Sequence, residues 1–455
     1  MKHRLKLIAY NLLLLLLLIS ATPIIADNNV PTTKQEPIEV VNAPGTNVVL
    51  NDRLDNNHIV VDVTTKAHDW WMMKLTGVKG KTVSIGFSME YKGDVAKWHC
   101  LQPVYTYSDP DKLQSYLWYT KEKGHWMTGN TLFADKIADA GTNKCPIQHI
   151  IPAESAGEFL DSTGSYWESW GRIKQTEVID NLDIFRFTAS FSQNAVWIAM
   201  RYPFSNELFN ALLEKVKNLH NDAIRVKVIG KSEEHRDLSL IEVDTSRFFQ
   251  RHPLQILVYG REHATEPATS WGVVGILQSI LDNQIDQWPQ LALIPIMDPD
   301  SVAKNLYEGN VIQGFGKLVQ PIEVISYENY VKEQTTENNN INVAISLNNV
   351  EASEAGNLWM PHYDFLCPYK IIKLLCDRIY QMATREGYSV SDNMLPEATH
   401  QSNRFEGWLG SWGCIDMTWE VNDQAKDHQL NLKQLAYLGA NMVKAIDRSK
   451  YDDQW

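Results

Sequence analysis

The chain has 455 residues, of which 44% are hydrophobic and 21% charged, with a formal net charge of −13 at pH 7. That length supports two or three domains with substantial cores. An acidic chain without a basic cluster disfavours nucleic acid and anionic membrane surfaces as partners.

The N-terminus reads Lys2, Arg4 and Lys6, then an unbroken leucine run from Leu12 to Leu18, then small residues up to Ala26. A basic start, an apolar middle of this length and a small residue at the end describe a secretory signal peptide over residues 1–26. The competing reading is a retained N-terminal anchor. Cleavage after Ala26 would remove three cations and no acids, moving the net charge from −13 to −16. No later stretch reaches the roughly 18 apolar residues that span a bilayer. The expectation is a secreted or periplasmic protein with no membrane span after cleavage.

Residues 27 to about 55 lack periodicity and read as an extended lead-in. From Ile59-Val60-Val61 onward come short strand-like runs, including 82–87, 182–187 and 195–199, broken by Gly, Asp and Asn turns. This pattern predicts an all-β sandwich over residues 27–205. Eight of the 15 tryptophans fall between Trp70 and Trp197. They suit either a packed core or a sugar-stacking surface. Neighbours on a strand point to opposite faces, so Trp70 and Trp71 should separate, one of them facing solvent or the neighbouring domain. Of the five cysteines, Cys100 and Cys145 are a plausible bridge in an oxidising compartment, and no C-x-x-C spacing suggests a cysteine zinc site.

Near Ser205-Asn206-Glu207 a helix-start signal precedes Leu208 to Leu213. Strand-like runs then alternate with helical patterns. The strands are expected at 254–259, 291–296, 343–347 and 415–421, and the helices at 268–281, 369–384 and 432–447. Residues 206–455 therefore predict an α/β domain, a mixed sheet flanked by helices.

The chemistry concentrates after the first of these strands, in Gly260-Arg261-Glu262-His263-Ala264-Thr265-Glu266-Pro267. An imidazole and a carboxylate three residues apart in one turn suit Zn²⁺, although a polar turn would carry the same string. Glu420, at the end of the 415–421 run, would polarise a water and pass its proton to a leaving amine, or else form a structural ion pair.

Strand, H-x-x-E, helix, Pro295-Ile296-Met297-Asp298-Pro299-Asp300 and then Thr418-Trp419-Glu420 resemble the zinc carboxypeptidase family. The closer likeness is to its cytosolic-carboxypeptidase-like branch, which carries a β-sandwich in front. The segment from Val196 to Phe204 resembles the one that closes that sandwich. The resemblance implies a hydrolase that cleaves an amide next to a free carboxylate of a peptide. It implies one Zn²⁺ on His263 and Glu266, with Glu420 as general base. The family's third ligand is a histidine about seventy residues before that base; here Asn348 stands 72 positions ahead of Glu420. Its amide oxygen is a weak zinc ligand beside imidazole. Glu351, His362 and Asp364 are downstream alternatives. The family's arginine after the Asp-Pro-Asp turn is also missing, which leaves Arg404 and Arg261 as candidate anchors for a substrate carboxylate. The alternative is a catalytically degraded relative that binds peptide or glycan without hydrolysis.

Overall fold

The computed structural model describes residues 36–63, 70–88, 101–110, 170–179, 184–219, 221–245, 254–282, 288–307, 309–312, 314–335, 340–349, 356–364, 366–390, 397–399, 404–425 and 428–449. The expected signal segment, the candidate Cys100–Cys145 bridge and Glu351 lie outside them.

Two five-stranded sheets come first. One runs β1 (Glu39–Val41), β4 (Met72–Thr76), β10 (Ala195–Ala199), β6 (Val104–Thr106), β7 (Gly171–Arg172). The other runs β2 (Val48–Arg53), β3 (His58–Val63), β5 (Thr82–Ser88), β9 (Ile184–Ser190), β8 (Thr176–Ile179). Alternate residues of the second sheet, Ile59 and Val61, Val83, Ile85 and Phe87, Phe185 and Phe187, point into one core. There they meet Trp71, Met73, Leu75, Val196 and Ile198 from the first. Trp71 lies 4.5 Å from Phe87 and stacks on Phe187 at 6.3 Å.

The first sheet is buried on both faces, which explains why its strands read as unbroken apolar runs rather than alternating ones. Trp70, Met72, Trp197 and Ala199 face away from the sandwich core and join a second core shared with the rest of the chain. The two adjacent tryptophans, just ahead of β4, thus part between the two cores, and the Trp70 indole N–H donates to Asn305 Oδ1 at 3.1 Å. Further links tie the layers together. Arg201 and Arg172 both reach the buried carboxylate of Asp423, and Arg172 also donates to the Leu430 carbonyl at 2.6 Å.

The lead-in differs from expectation, because β1 and β2 lie within it. Val40-Val41 and Val48-Val49-Leu50 are too short to show a period of two, and only Val48 of β2 is buried. Pairing Val48–Arg53 along β3 places it at the sheet edge, where exposed positions erase the alternation.

The remaining chain builds an eight-stranded mixed sheet. Its strands are β11 (Ile224–Lys231), β12 (Asp237–Val243), β13 (Gln255–Gly260), β14 (Gln290–Ile294), β15 (Val343–Asn349), β16 (Leu358–Asp364), β17 (Glu397–Thr399) and β18 (Ile415–Val421). They lie in the order β11-β12-β14-β13-β15-β18-β16-β17. The central four, β14-β13-β15-β18, are parallel. On one face pack α1 (Asn206–Lys217), α2 (Pro267–Asp282), α5 (Tyr369–Arg385) and α7 (Leu432–Ser449). On the other lie α4 (Ile322–Gln334) and α6 (Phe405–Ser411), through Val324, Tyr327, Val331, Phe405 and Trp408. The short α3 (Pro299–Lys304) follows β14. The mixed sheet flanked by helices is therefore as expected. Helices α2 and α7 cross backbone to backbone: a Cβ on Gly275 would sit 2.0 Å from the Ala436 carbonyl oxygen. Among the described residues no helix is long and apolar enough to cross a membrane.

Candidate functional site

Because β13, β15 and β18 are parallel neighbours, their carboxyl ends meet on one edge of the sheet, where α/β folds gather ligands. The turn leaving β13 is tight. A Cβ on Gly260 would lie 2.8 Å from Thr269 Oγ1, and Arg261 adopts φ +60°, a left-handed conformation costing about 1–3 kcal/mol for a non-glycine residue. The Arg261 N–H donates to the same Thr269 hydroxyl at 2.9 Å. This kink aims the next residues inward. His263 Nδ1 sits 2.9 Å from Glu266 Oε1, and the other Glu266 oxygen accepts the Asn349 N–H at 2.9 Å. The imidazole stacks on Tyr307 with centroids 4.7 Å apart.

In the parallel ladder Asn348 pairs with Glu420 and Ser346 with Thr418, so all four side chains share one sheet face. The Asn348 amide oxygen receives the Ser346 hydroxyl at 3.4 Å. Burial and the neighbouring Glu266 carboxylate push Glu420 up to about 8, against the pull of His263 and Arg404. Burial works against protonation of His263, but the charge and hydrogen bond of Glu266 outweigh it and raise its pKa. These mutual effects bring His263, Glu266, Glu420 and Arg404 into one electrostatic neighbourhood.

Arg404 is the N-cap residue of α6 and is partly exposed. Arg261 is buried, its guanidinium donating to the Phe204 carbonyl at 3.0 Å, and burial lowers its pKa to about 9 against the attraction of Glu266. His362, on β16, pairs with Thr418 rather than with Glu420. Asp364 turns its carboxylate to the Leu366 N–H at 2.8 Å.

Three further acids were not singled out from the sequence. Glu262 and Asp416 are 0% exposed, and no N–H or hydroxyl reaches any of their carboxyl oxygens among the described residues. Glu406 accepts the Thr418 hydroxyl at 3.3 Å with one oxygen and leaves the other without a donor. Burial, reinforced by Glu406, pushes both Glu262 and Asp416 well above the carboxylate range. Asp416 had a sequence signal, since it lies four residues before Glu420 on the same strand and hence on the same face.

His263 and Glu266 form a competent pair of zinc donors, nitrogen and oxygen facing each other. Among the described residues no three His, Cys, Asp or Glu side chains group closely enough to hold a metal. The set that the fold offers is thus two strong donors, with the neutral amide of Asn348 close to them on the next strand. It fits Zn²⁺ as a weak site rather than a closed one.

Residues 209–301 match the family model described as zinc carboxypeptidase. No curated protein sequence matches the chain. Among solved structures, a metallo-carboxypeptidase from Burkholderia cenocepacia superposes with a TM-score of 0.65 at 14% identity, over 90% of this chain and 98% of its own. A carboxypeptidase A described as putative, from Shewanella denitrificans, gives 0.64 at 15% identity, over 91% and 98% of the two chains. A metallo-carboxypeptidase from Pseudomonas aeruginosa, solved with (2-guanidinoethylmercapto)succinic acid, gives 0.61 at 15%, over 91% and 99%. The fold is that of the zinc carboxypeptidases. The likeness in fold covers 98–99% of these bacterial chains, not the α/β sheet alone.

Proposed function

We propose that the chain is an exported metallocarboxypeptidase-like hydrolase acting on an amide bond next to the free carboxylate of a peptide. The observation that carries this reading is the convergence of His263, Glu266, Asn348 and Glu420 at the carboxyl ends of three adjacent parallel strands. His263, Glu266 and the amide of Asn348 would hold Zn²⁺, which supplies Lewis acidity toward a carbonyl and toward water. Glu420 takes a proton onto its carboxylate and returns it to the leaving amine. Burial, and after it the acids around it, raise its proton affinity, which suits a group that must donate as well as accept. Arg404, partly exposed beside Glu420, holds the substrate carboxylate, since a guanidinium grips a carboxylate through two parallel N–H donors. Arg261, already engaged with Phe204, holds the floor of the turn.

A second reading, peptide binding without turnover, is favoured by one observation: asparagine at position 348. The two separate in one experiment. Full-length protein loaded with zinc is assayed on benzoylglycyl dipeptides, with and without chelator, beside Glu420→Gln. Chelator-sensitive release of the C-terminal residue, lost in the variant, supports the hydrolase. Binding without release supports the second reading. Export rests on the segment from Met1 to Ala26, and secreted protein should begin at Asp27. An exported chain still beginning at Met1 would favour the anchored form.

A further inference from the structure

Glu420 stands one residue before the ladders of β18 stop. Pairing with both neighbours, β15 and β16, ends at Val421. A strand end beyond its ladder frays unless something ties it down. Here the next three residues, Asn422, Asp423 and Gln424, are all polar and all 0% exposed. The Asn422 N–H donates to the Asn357 carbonyl at 2.9 Å. The other two are held from the sandwich. Asp423 takes Arg201 on one carboxylate oxygen and Arg172, at 3.5 Å, on the other. The Gln424 amide donates to the Met200 carbonyl at 2.6 Å, and its oxygen accepts the Gln102 N–H at 2.7 Å. The same stretch of chain reaches the other half of the site. Met200 to Phe204 accepts Gln424 on its first carbonyl, supplies Arg201, and accepts the Arg261 guanidinium on its last carbonyl at 3.0 Å. Arg261 is two residues before His263. One short segment thus touches both the turn that carries His263 and the tail of the strand that carries Glu420.

A buried ion cluster of this kind contributes little net stability, because the cost of desolvating its charges offsets their attraction. Nor is it needed to join the layers, which Trp70, Met72, Trp197 and Ala199 already pack together. What it supplies is a fixed point, since a planar guanidinium meets a carboxylate in few geometries. We infer that Asp423 is a positioning residue for Glu420, and that the sandwich, through Arg201 and Arg172, sets where the base stands relative to His263. The inference rests on the functional reading above, in which Glu420 carries the proton. Asp423 acts through the chain rather than on the substrate. It is three residues beyond Glu420, at most about 11 Å along the backbone. A shift at that anchor is passed to the Glu420 carboxylate, and a misplacement of about 1 Å in an active site can cost about 10²-fold in rate.

The test replaces the central pair by apolar residues, Arg201→Met with Asp423→Leu, in the full-length protein loaded with zinc. Arg172 keeps the Leu430 and Gln102 carbonyls as partners. The thermal midpoint should stay within a few degrees of the parent's, because apolar substitutes for a buried pair are often neutral or better. Zinc affinity, measured by competition against a chelator, should stay within about twofold, since His263, Glu266 and Asn348 lie on other elements. On the same benzoylglycyl substrates KM should change by no more than about threefold while kcat falls about 10²-fold. Asp423→Asn leaves both arginines short of a counter-charge and should lower the midpoint further. Its folded fraction is read by the same three quantities, and decides the matter if the double variant does not fold. A folded variant with the parent's kcat overturns the inference and leaves the hydrolase reading standing. So does a parallel loss of zinc affinity, KM and kcat, which would make Asp423 a support of the whole fold. A parent with no chelator-sensitive turnover fells the functional reading and this inference with it.

Discussion

The sandwich core and the carboxyl edge of the mixed sheet are built on opposite terms. In the sandwich, Trp71, Phe87, Phe185 and Phe187 fill the space between two sheets with aromatic rings, and the strands alternate inward and outward wherever one face meets solvent. At the sheet edge, Glu262, Glu266, Glu406, Asp416 and Glu420 crowd around Arg404 and His263, several of them buried without a donor. One region satisfies the rules of folding and the other breaks them, which is the usual mark of a site kept for chemistry. Substitutions in the first should therefore be felt in stability, and in the second in binding and rate.

Glu420→Gln should break the contrast most sharply. It keeps shape but removes the proton carrier, and loss of general acid–base catalysis is worth about 10²–10⁴ in rate. Steady-state hydrolysis checks this, with thermal unfolding expected to be unchanged or slightly improved. A variant that keeps full rate would move the base elsewhere. Next comes Trp71→Ala, which leaves a cavity between the two sheets and should cost about 3–5 kcal/mol in denaturant unfolding. Zinc affinity of the folded fraction should not change, and a variant as stable as the parent would show that the sandwich core is not where stability lies.

Asn348→His sharpens the comparison from the other side. Restoring an imidazole beside His263 and Glu266 should raise zinc affinity by at least the 10–100-fold typical of weaker, outer contacts to a metal. Competition against a chelator measures it, with Glu266→Ala as the variant expected to lose stoichiometric metal. Stoichiometric binding by the parent as tight as by Asn348→His would mean another residue completes the site.

The smallest effect is a pH slope. In the folded chain Glu420 titrates near 8, above its ordinary carboxylate value, so the folded state holds a proton that the unfolded state has released. Stability should therefore fall as pH rises from about 5 through 8 in metal-free protein, by about 1–2 kcal/mol after allowing for its partial exposure. Urea midpoints at the two ends of that window, compared with those of Glu420→Gln, isolate this contribution.

The fold was legible wherever burial was regular. β13, β15 and β18 stood out because strands buried on both faces read as continuous apolar runs, and α5 and α7 because their apolar stripes recur at helical spacing. Helix α4 did not, since Glu323, Ser326 and Glu328 are buried among its apolar residues and break the stripe. β17, three residues long, offered too few positions for a period to emerge, and β11, although eight residues long, buries only Ile224. His263, Glu266 and Glu420 were visible through spacing and resemblance. The acids below them were less so: Asp416 shares the face of Glu420 by strand spacing, but Glu262 looks like an ordinary solvated residue of a turn until the fold buries it.

The strand that carries Glu420 also dictates when the protein can fold. β18 lies between β15 and β16, yet it is made after both and after nearly all the rest of the chain. Until residue 421 has been synthesised, β15 presents an unpaired edge and β16 has no neighbour on its inner side. Contacts so distant in sequence form slowly, and open edges invite association with other chains. A chain stopped before β18 would thus be no feebler version of this protein but an aggregation-prone fragment, its centre missing.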